Sequence, residues 1–376
     1  MLLTVLGRSP ETRERWITSH AATPGEADEL RAMLRIAAAD EAPGATDPLI
    51  GAACGPWILT QRLGDGGQGV VYEAERDDDP AAVKVLREGG DTETAFKLER
   101  ETTALAAIDH PGIAALRGSG VADIGGQRRS WIAMDLIPAA EPLLDWAALH
   151  QPSMDERVGI ITQIAVALAA AHEAGVIHRD LKSSNVLVGD DNQPRIIDLG
   201  IARVLGESHL ARTHTAERHA LVGTLESLAP EQVDGRLGSV SEQTDIYALG
   251  VLAYRLLAGE VPYDTGASIV SAAQAILHVP PVPPDVFNKA IPPGASAAIM
   301  RALQKRPEDR WPSMRAFATA ISGAAASETS TEPRPRRRGL VLAASAVIAI
   351  TATVAVWLSV SGQDQQPPHG AGGGGV

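Results

Sequence analysis

Between Val176 and Gly200 the chain reads VIHRDLKSSNVLVGDDNQPRIIDLG, and this stretch restricts the architecture more than any other. His178, Arg179 and Asp180 open a loop. Lys182 and Asn185 stand two and five residues after that aspartate, and Asp198 follows thirteen residues after Asn185. The residues between them predict a hairpin of two short strands turning at GDDNQ, because turn formers there separate two apolar runs. An ordinary polar loop has no reason to hold a base, a cation and two oxygen ligands at these intervals.

Such a set suits phosphoryl transfer. The moving group offers a protein little covalent chemistry, so catalysis there is positioning plus charge stabilisation. Asp180 would accept or orient the proton of an acceptor hydroxyl, and Lys182 would offset charge on the moving group. Asn185 and Asp198 would supply hard oxygen ligands to magnesium (Mg2+).

A nucleotide cradle is then required upstream, and Leu63–Tyr72 reads LGDGGQGVVY. Gly64, Gly66 and Gly69 form G-x-G-x-x-G, in which bare backbone turns tightly and presents N–H groups to phosphates. A dinucleotide fingerprint shares the pattern but opens a helix, whereas VVYEAE after Gly69 reads as a strand. Further on, AAVKVL sets Lys84 in an apolar strand-like run, where an unpaired ammonium would be costly to bury. The helical stretch 91–107 offers Glu99 and Glu101 as partners, although on an isolated helix either would read as a solvated face.

On these motifs the chain resembles the eukaryotic-like (Hanks-type) serine/threonine protein kinases of bacteria, over residues 56–322. The resemblance implies an α+β fold of two lobes, β-rich over 57–136 and mainly helical after that. It also implies ATP and Mg2+ as cofactors and serine or threonine on proteins as acceptors. Leu63, Gly64, Gly66, Gly69, Val71, Ala82, Lys84 and Leu187 would surround the nucleotide, with Met134 as gatekeeper and Asp135 and Ile137 offering backbone groups to adenine. Glu101 becomes the expected partner of Lys84, with Glu99 as the alternative. Lys182, two residues after the catalytic aspartate, goes in this family with serine or threonine acceptors.

The segment GTLESLAPEQ, 223–232, is similar to the end of an activation segment, with Thr224 placed to contact Asp180 and Lys182. Asp245 matches the aspartate that braces the catalytic loop, and Arg310 the arginine that pairs with Glu231. Arg179 would pair with a phosphate on the activation segment, a charge-assisted contact. Ser208, Thr213 and Thr215 are the acceptors available between Gly200 and Gly223, and Thr213 and Thr215 are the expected autophosphorylation sites. Leu199 stands where the family has phenylalanine, an apolar exchange that leaves Asp198 free for metal. TLES lacks the proline and tyrosine often found after the equivalent of Thr224, a departure at the pocket for the residue following the acceptor. Gly112 and Ser183 replace a frequent asparagine and proline, away from the chemistry.

A net charge of −13 argues against nucleic acid as a partner, since phosphate backbones demand clustered lysine and arginine. Cys54 is the only cysteine, so no intramolecular disulfide forms. Residues 340–360, LVLAASAVIAITATVAVWLSV, carry no charge and follow Arg334, Arg336, Arg337 and Arg338. About twenty apolar residues cross a bilayer and flanking arginine marks its cytoplasmic side, so one C-terminal transmembrane helix is expected. The kinase domain would then face the cytoplasm from the inner membrane, with 361–376 as a short tail beyond it and 323–339 as a flexible juxtamembrane linker. Residues 1–55 read as a small helical extension and a Pro/Gly/Asp linker, and MLLTVLG is too short for the apolar core of a signal peptide. Expected partners are protein substrates and the membrane, with a homodimer left open. A silent scaffold would have lost Lys84, Asp180 or Asp198. A small-molecule phosphotransferase would lack the APE segment and the Asp245 helix.

Overall fold

The computed structural model describes residues 47–66, 69–87, 105–199, 227–263 and 269–329, with single positions at Ile17, Leu98 and Thr102. Glu99, Glu101, Ser208, Thr213, Thr215, Thr224, the 340–360 run and nearly all of the N-terminal extension lie outside them. Among the described residues no helix is long and apolar enough to cross a membrane.

Among the described residues six antiparallel strands form the sheet of the small lobe. They are β1 (Ala53–Cys54), β2 (Trp57–Gly66), β3 (Gly69–Arg76), β4 (Asp79–Leu86), β5 (Leu116–Ile124) and β6 (Gln127–Asp135), in the spatial order β1-β2-β3-β4-β6-β5. Strand periodicity sends alternate side chains of β4 to opposite faces. Ala81, Val83 and Val85 join Trp57, Leu59, Tyr72 and Trp131 in one apolar cluster. Ala82 joins Ile132, Met134 and Leu98 in another, on the face that also carries Lys84.

This sheet corrects the expected linker, because residues 47–55 are part of the lobe. Leu49 and Cys54 are buried beside Trp57 and Trp131, rings of a kind that each take roughly 150–250 Å2 out of water. Cys54 pairs with Trp57 in the β1–β2 ladder, and the Tyr72 hydroxyl donates to Asp47 at 3.0 Å. Gly55, at φ 61°, lies so close to Trp131 that a Cβ would sit 2.4 Å from the ring, so glycine is needed there for space as well as rotation. Pro, Gly and Asp therefore serve tight turns here, not a free tether. Burial also pushes the Cys54 thiol up to about 12, which leaves it unreactive.

A short sheet of β7 (Glu141–Pro142), β8 (Val186–Val188) and β9 (Pro194–Ile196) begins the large lobe, with β8 and β9 forming the expected hairpin. Among the described residues the helices α1 (Leu143–His150), α2 (Met154–Glu173), α3 (Pro230–Val233), α4 (Glu242–Ala258), α5 (Ile269–His278), α6 (Pro284–Phe287), α7 (Pro293–Ala302) and α8 (Met314–Thr329) follow. A capping box starts α2: Ser153 Oγ accepts from the Glu156 N–H, and Glu156 Oε2 accepts from the Ser153 N–H. Buried residues encircle α4, including Ile246, Leu249, Val251 and Tyr254, which is how a helix at the centre of a domain reads. It packs against α2, α7 and α8. The last helix continues past Ser322 to Thr329. The alanine run 324–326 extends it, alanine being the strongest helix former.

Candidate active site

The loop between α2 and β8 is held from beneath by α4. Asp245, 1% exposed, receives three N–H donors: the His172 Nε2 at 2.8 Å, the His178 backbone at 2.8 Å and the Arg179 backbone at 2.9 Å. A buried carboxylate needs hydrogen-bond donors in this number to stay in place. Arg179 takes a left-handed backbone, φ 72°, as does Asp198, φ 58°. Non-glycine residues adopt that conformation at a cost and only where their surroundings enforce it. Both of these flank the proposed chemistry.

From that support the polar side chains converge. Lys182 Nζ donates to Asp180 Oδ2 at 3.0 Å, and Asn185 Nδ2 donates to the Asp180 carbonyl at 2.7 Å. The Asn185 carbonyl accepts from the Ile197 N–H at 3.0 Å, which ties the loop to the residue before Asp198. Lys84, 4% exposed on β4, forms an ion pair with Asp198 across the cleft between the lobes. Its expected partner Glu101 lies outside the described residues.

The Asn185 amide spends its N–H2 on the loop, which leaves its oxygen as the ligand atom; Asp198 adds a carboxylate. Among the described residues no three His, Cys, Asp or Glu side chains gather closely enough to hold a metal alone. A cation here would rest on Asn185 and Asp198 and complete its shell with water and phosphate oxygens, the mode magnesium favours. The donor set fits that ion.

Above the cleft, β2 and β3 close a hairpin in which Gly64 pairs with Val71 and Gly66 with Gly69. The glycine loop therefore does join two strands, not a strand and a helix. Leu63 and Gly64 are exposed, while Gly69 is buried so tightly on β4 that a Cβ would meet the Val85 carbonyl oxygen at 2.3 Å. Val71, Ala82 and Met134 share one apolar cluster, whereas Leu187 lies on β8 in the second sheet. At the hinge, the Asp135 N–H donates to the Ala115 carbonyl and its side chain accepts from Arg117 Nε at 2.7 Å and the Ala115 N–H at 3.1 Å. Arg117 also donates to Asp79 at 2.6 Å, and the bonds to Asp135 and then Asp79 raise its pKa further. A cavity of about 320 Å3 beside this segment is lined by Asp79, Arg117, Asp135, Ile137 and Arg195, among others, but by none of Lys84, Asn185 or Asp198, so it is not the cleft.

A family model of the protein kinase domain matches residues 57–320. This chain belongs to that family. The chain is 36% identical over 293 residues to serine/threonine-protein kinase Pkn1 of Myxococcus xanthus, covering 75% of this chain and 40% of the relative. It is 34% identical over 258 residues to serine/threonine-protein kinase PknB of Mycobacterium tuberculosis, covering 67% and 40%. The chain thus spans about 40% of the length of these curated relatives. Among solved structures the PknI kinase domain of M. tuberculosis is similar at a TM-score of 0.55 and 26% identity, over 75% of this chain and all of that one.

The structure adds roles that the sequence did not reveal. His172 completes the Asp245 site from α2. Ser183, where proline is frequent in kinases, accepts from the Leu144 N–H at 3.0 Å and so satisfies an N-terminal amide of α1, which has no side-chain cap of its own. Gln232, directly after Ala229–Pro230–Glu231, donates to the Arg179 carbonyl at 2.8 Å. The expected pairing of Glu231 with Arg310 is present, both side chains being wholly buried.

Proposed function

We propose that the chain is an ATP- and Mg2+-dependent kinase of serine and threonine side chains on proteins. The observation that carries this reading is the convergence of Lys84 and Asp198 across the cleft with Asp180, Lys182 and Asn185 beside them. Asp180 would take the proton as the acceptor hydroxyl oxygen bonds to the γ-phosphorus, while the bond to the ADP oxygen breaks. Lys182, already on Asp180, offsets charge on the moving phosphoryl group, and Lys84 exchanges Asp198 for nucleotide phosphates. Asn185 and Asp198 would hold Mg2+, which supplies charge neutralisation between the phosphates.

We propose further that Thr213 and Thr215 are autophosphorylated and read by Arg179, and that 340–360 crosses the inner membrane with the kinase domain on the cytoplasmic side. The charge-free run after four arginines supports that orientation.

The test is phosphate transfer from labelled ATP with Mg2+, wild type beside Asp180→Asn, with phosphosites mapped. Loss of the base is expected to lower the rate about 100-fold or more. Equal labelling of the two chains sinks the reading, and label confined to residues other than Thr213 and Thr215 removes the regulatory part alone. Recovery of the full chain in the soluble fraction without detergent removes the anchor.

A further inference from the structure

Arg179 is the strained joint of the catalytic loop, and its two neighbouring peptide groups are each held by a side chain from elsewhere in the fold. Asp245 accepts its N–H, as described. From the other side Gln232, on α3, donates Nε2–H to its carbonyl at 2.8 Å, across 53 residues of sequence. That carbonyl shares a peptide plane with the Asp180 N–H, which donates to His178 Nδ1 at 3.3 Å. Gln232 and His178 therefore grip the two ends of the plane from which Asp180 departs.

The Gln232 amide is itself aimed. Its Oε1 accepts the Ala229 N–H at 2.9 Å, closing the first turn of α3, so its N–H2 is the end that reaches Arg179. Helix capping needs only the oxygen. A glutamate at this position would keep the cap and lose the donor, setting a carboxylate against the Arg179 carbonyl.

We infer that Gln232 is a positioning residue for catalysis, fixing the direction of Asp180 through the Arg179–Asp180 peptide; this rests on the kinase reading above. It touches no reacting atom and lies apart from the strands that carry the nucleotide contacts. Its loss should therefore appear in turnover and not in nucleotide affinity.

The experiment compares full-length wild type, Gln232→Glu and Gln232→Met with ATP, Mg2+ and a generic unstructured acceptor protein, reading kcat, KM for ATP and the melting temperature. Both variants are expected to lose between about ten-fold and about a hundred-fold in kcat, with KM for ATP within about two-fold. Gln232→Glu, which keeps the cap, should melt near wild type. Wild-type kcat in Gln232→Glu overturns the inference, as does a loss that falls mainly on KM. Should Gln232→Glu fail to fold, Gln232→Met is judged by the same split, and failure of both to fold makes the role structural and also overturns it. An inactive wild type overturns the kinase reading and this inference together, whereas an active wild type with undiminished variants overturns the inference alone.

Discussion

In the large lobe Glu231 and Arg310 are fully buried and spend every donor of the guanidinium, whereas in the small lobe Asp65 faces solvent between Arg62 and Arg87, with side chains 41–51% exposed. Arg310 Nε donates to the Gln304 carbonyl, Nη1 to Glu231 and the Gln243 carbonyl, and Nη2 to Glu231 and the Lys305 carbonyl. Glu231 also accepts from the Thr244 hydroxyl at 2.8 Å. Charge is costly in this setting: burial, and then Arg310 nearby, push Lys305 down to about 8. Three carbonyls and one carboxylate admit a single placement of α3, the element on which Gln232 sits. Around Asp65 water competes for every partner, so the same types of ion pair constrain the backbone little. Burial, not pairing, is what makes a charge define geometry.

The comparison breaks most directly at Arg310. Arg310→Met strands the Glu231 carboxylate with Thr244 as its side-chain donor and is expected to cost about 3–5 kcal/mol. Urea unfolding measures it. The double variant Glu231→Leu with Arg310→Met should recover most of that loss, because the penalty belongs to the unpaired charge and not to the absent pair. A single variant as stable as wild type would mean that water reaches the carboxylate.

Gly69 gives an intermediate case, since it is fixed by backbone contact and not by charge. Gly69→Ala sets a methyl group 2.3 Å from the Val85 carbonyl and 3.1 Å from the Leu86 Cα, neither of which can swing aside as a side chain would. About 1–3 kcal/mol of destabilisation is expected, with weaker ATP binding by calorimetry because β3 and β4 must part where Lys84 is carried. Unchanged affinity would separate the glycine loop from the geometry of β4.

What the sequence shows and hides follows the same division. Local patterns survived: the strands around Lys84, the β8–β9 hairpin and the glycine loop are set by side-chain periodicity and turn formers within a few residues. The positions of His172, Ser183 and Gln232 were invisible because each acts on a partner 39 to 73 residues away, and only the folded chain brings them together. Gln232 did carry one faint local signal, a polar residue three after Ala229 at a helix start, but that announces a cap and says nothing of Arg179. Residues 47–55 misled through composition. Pro, Gly and Asp are shared by linkers and tight turns, and the apolar Leu49 and Cys54 that decide between them were too few to form a pattern.

The smallest expected effect sharpens the exposed side of the comparison. Asp65→Asn removes both ion pairs to Arg62 and Arg87 while keeping the shape of the side chain, and global stability should change by less than about 1 kcal/mol. Raising salt towards about 1 M should erase most of whatever difference remains, since the Debye length then falls to about 3 Å, comparable with the separation of an exposed contact pair. ATP affinity should move in the opposite direction to stability. The aspartate lies in the glycine loop, where its negative charge opposes phosphates, and its removal leaves Arg62 and Arg87 without that partner at the mouth of the cleft. Tighter ATP binding at low salt, lost at high salt, is the expected result by titration calorimetry. A salt-independent loss of stability comparable with that of Arg310→Met would mean that Asp65 is as deeply committed as Glu231, and the contrast between the lobes would fail.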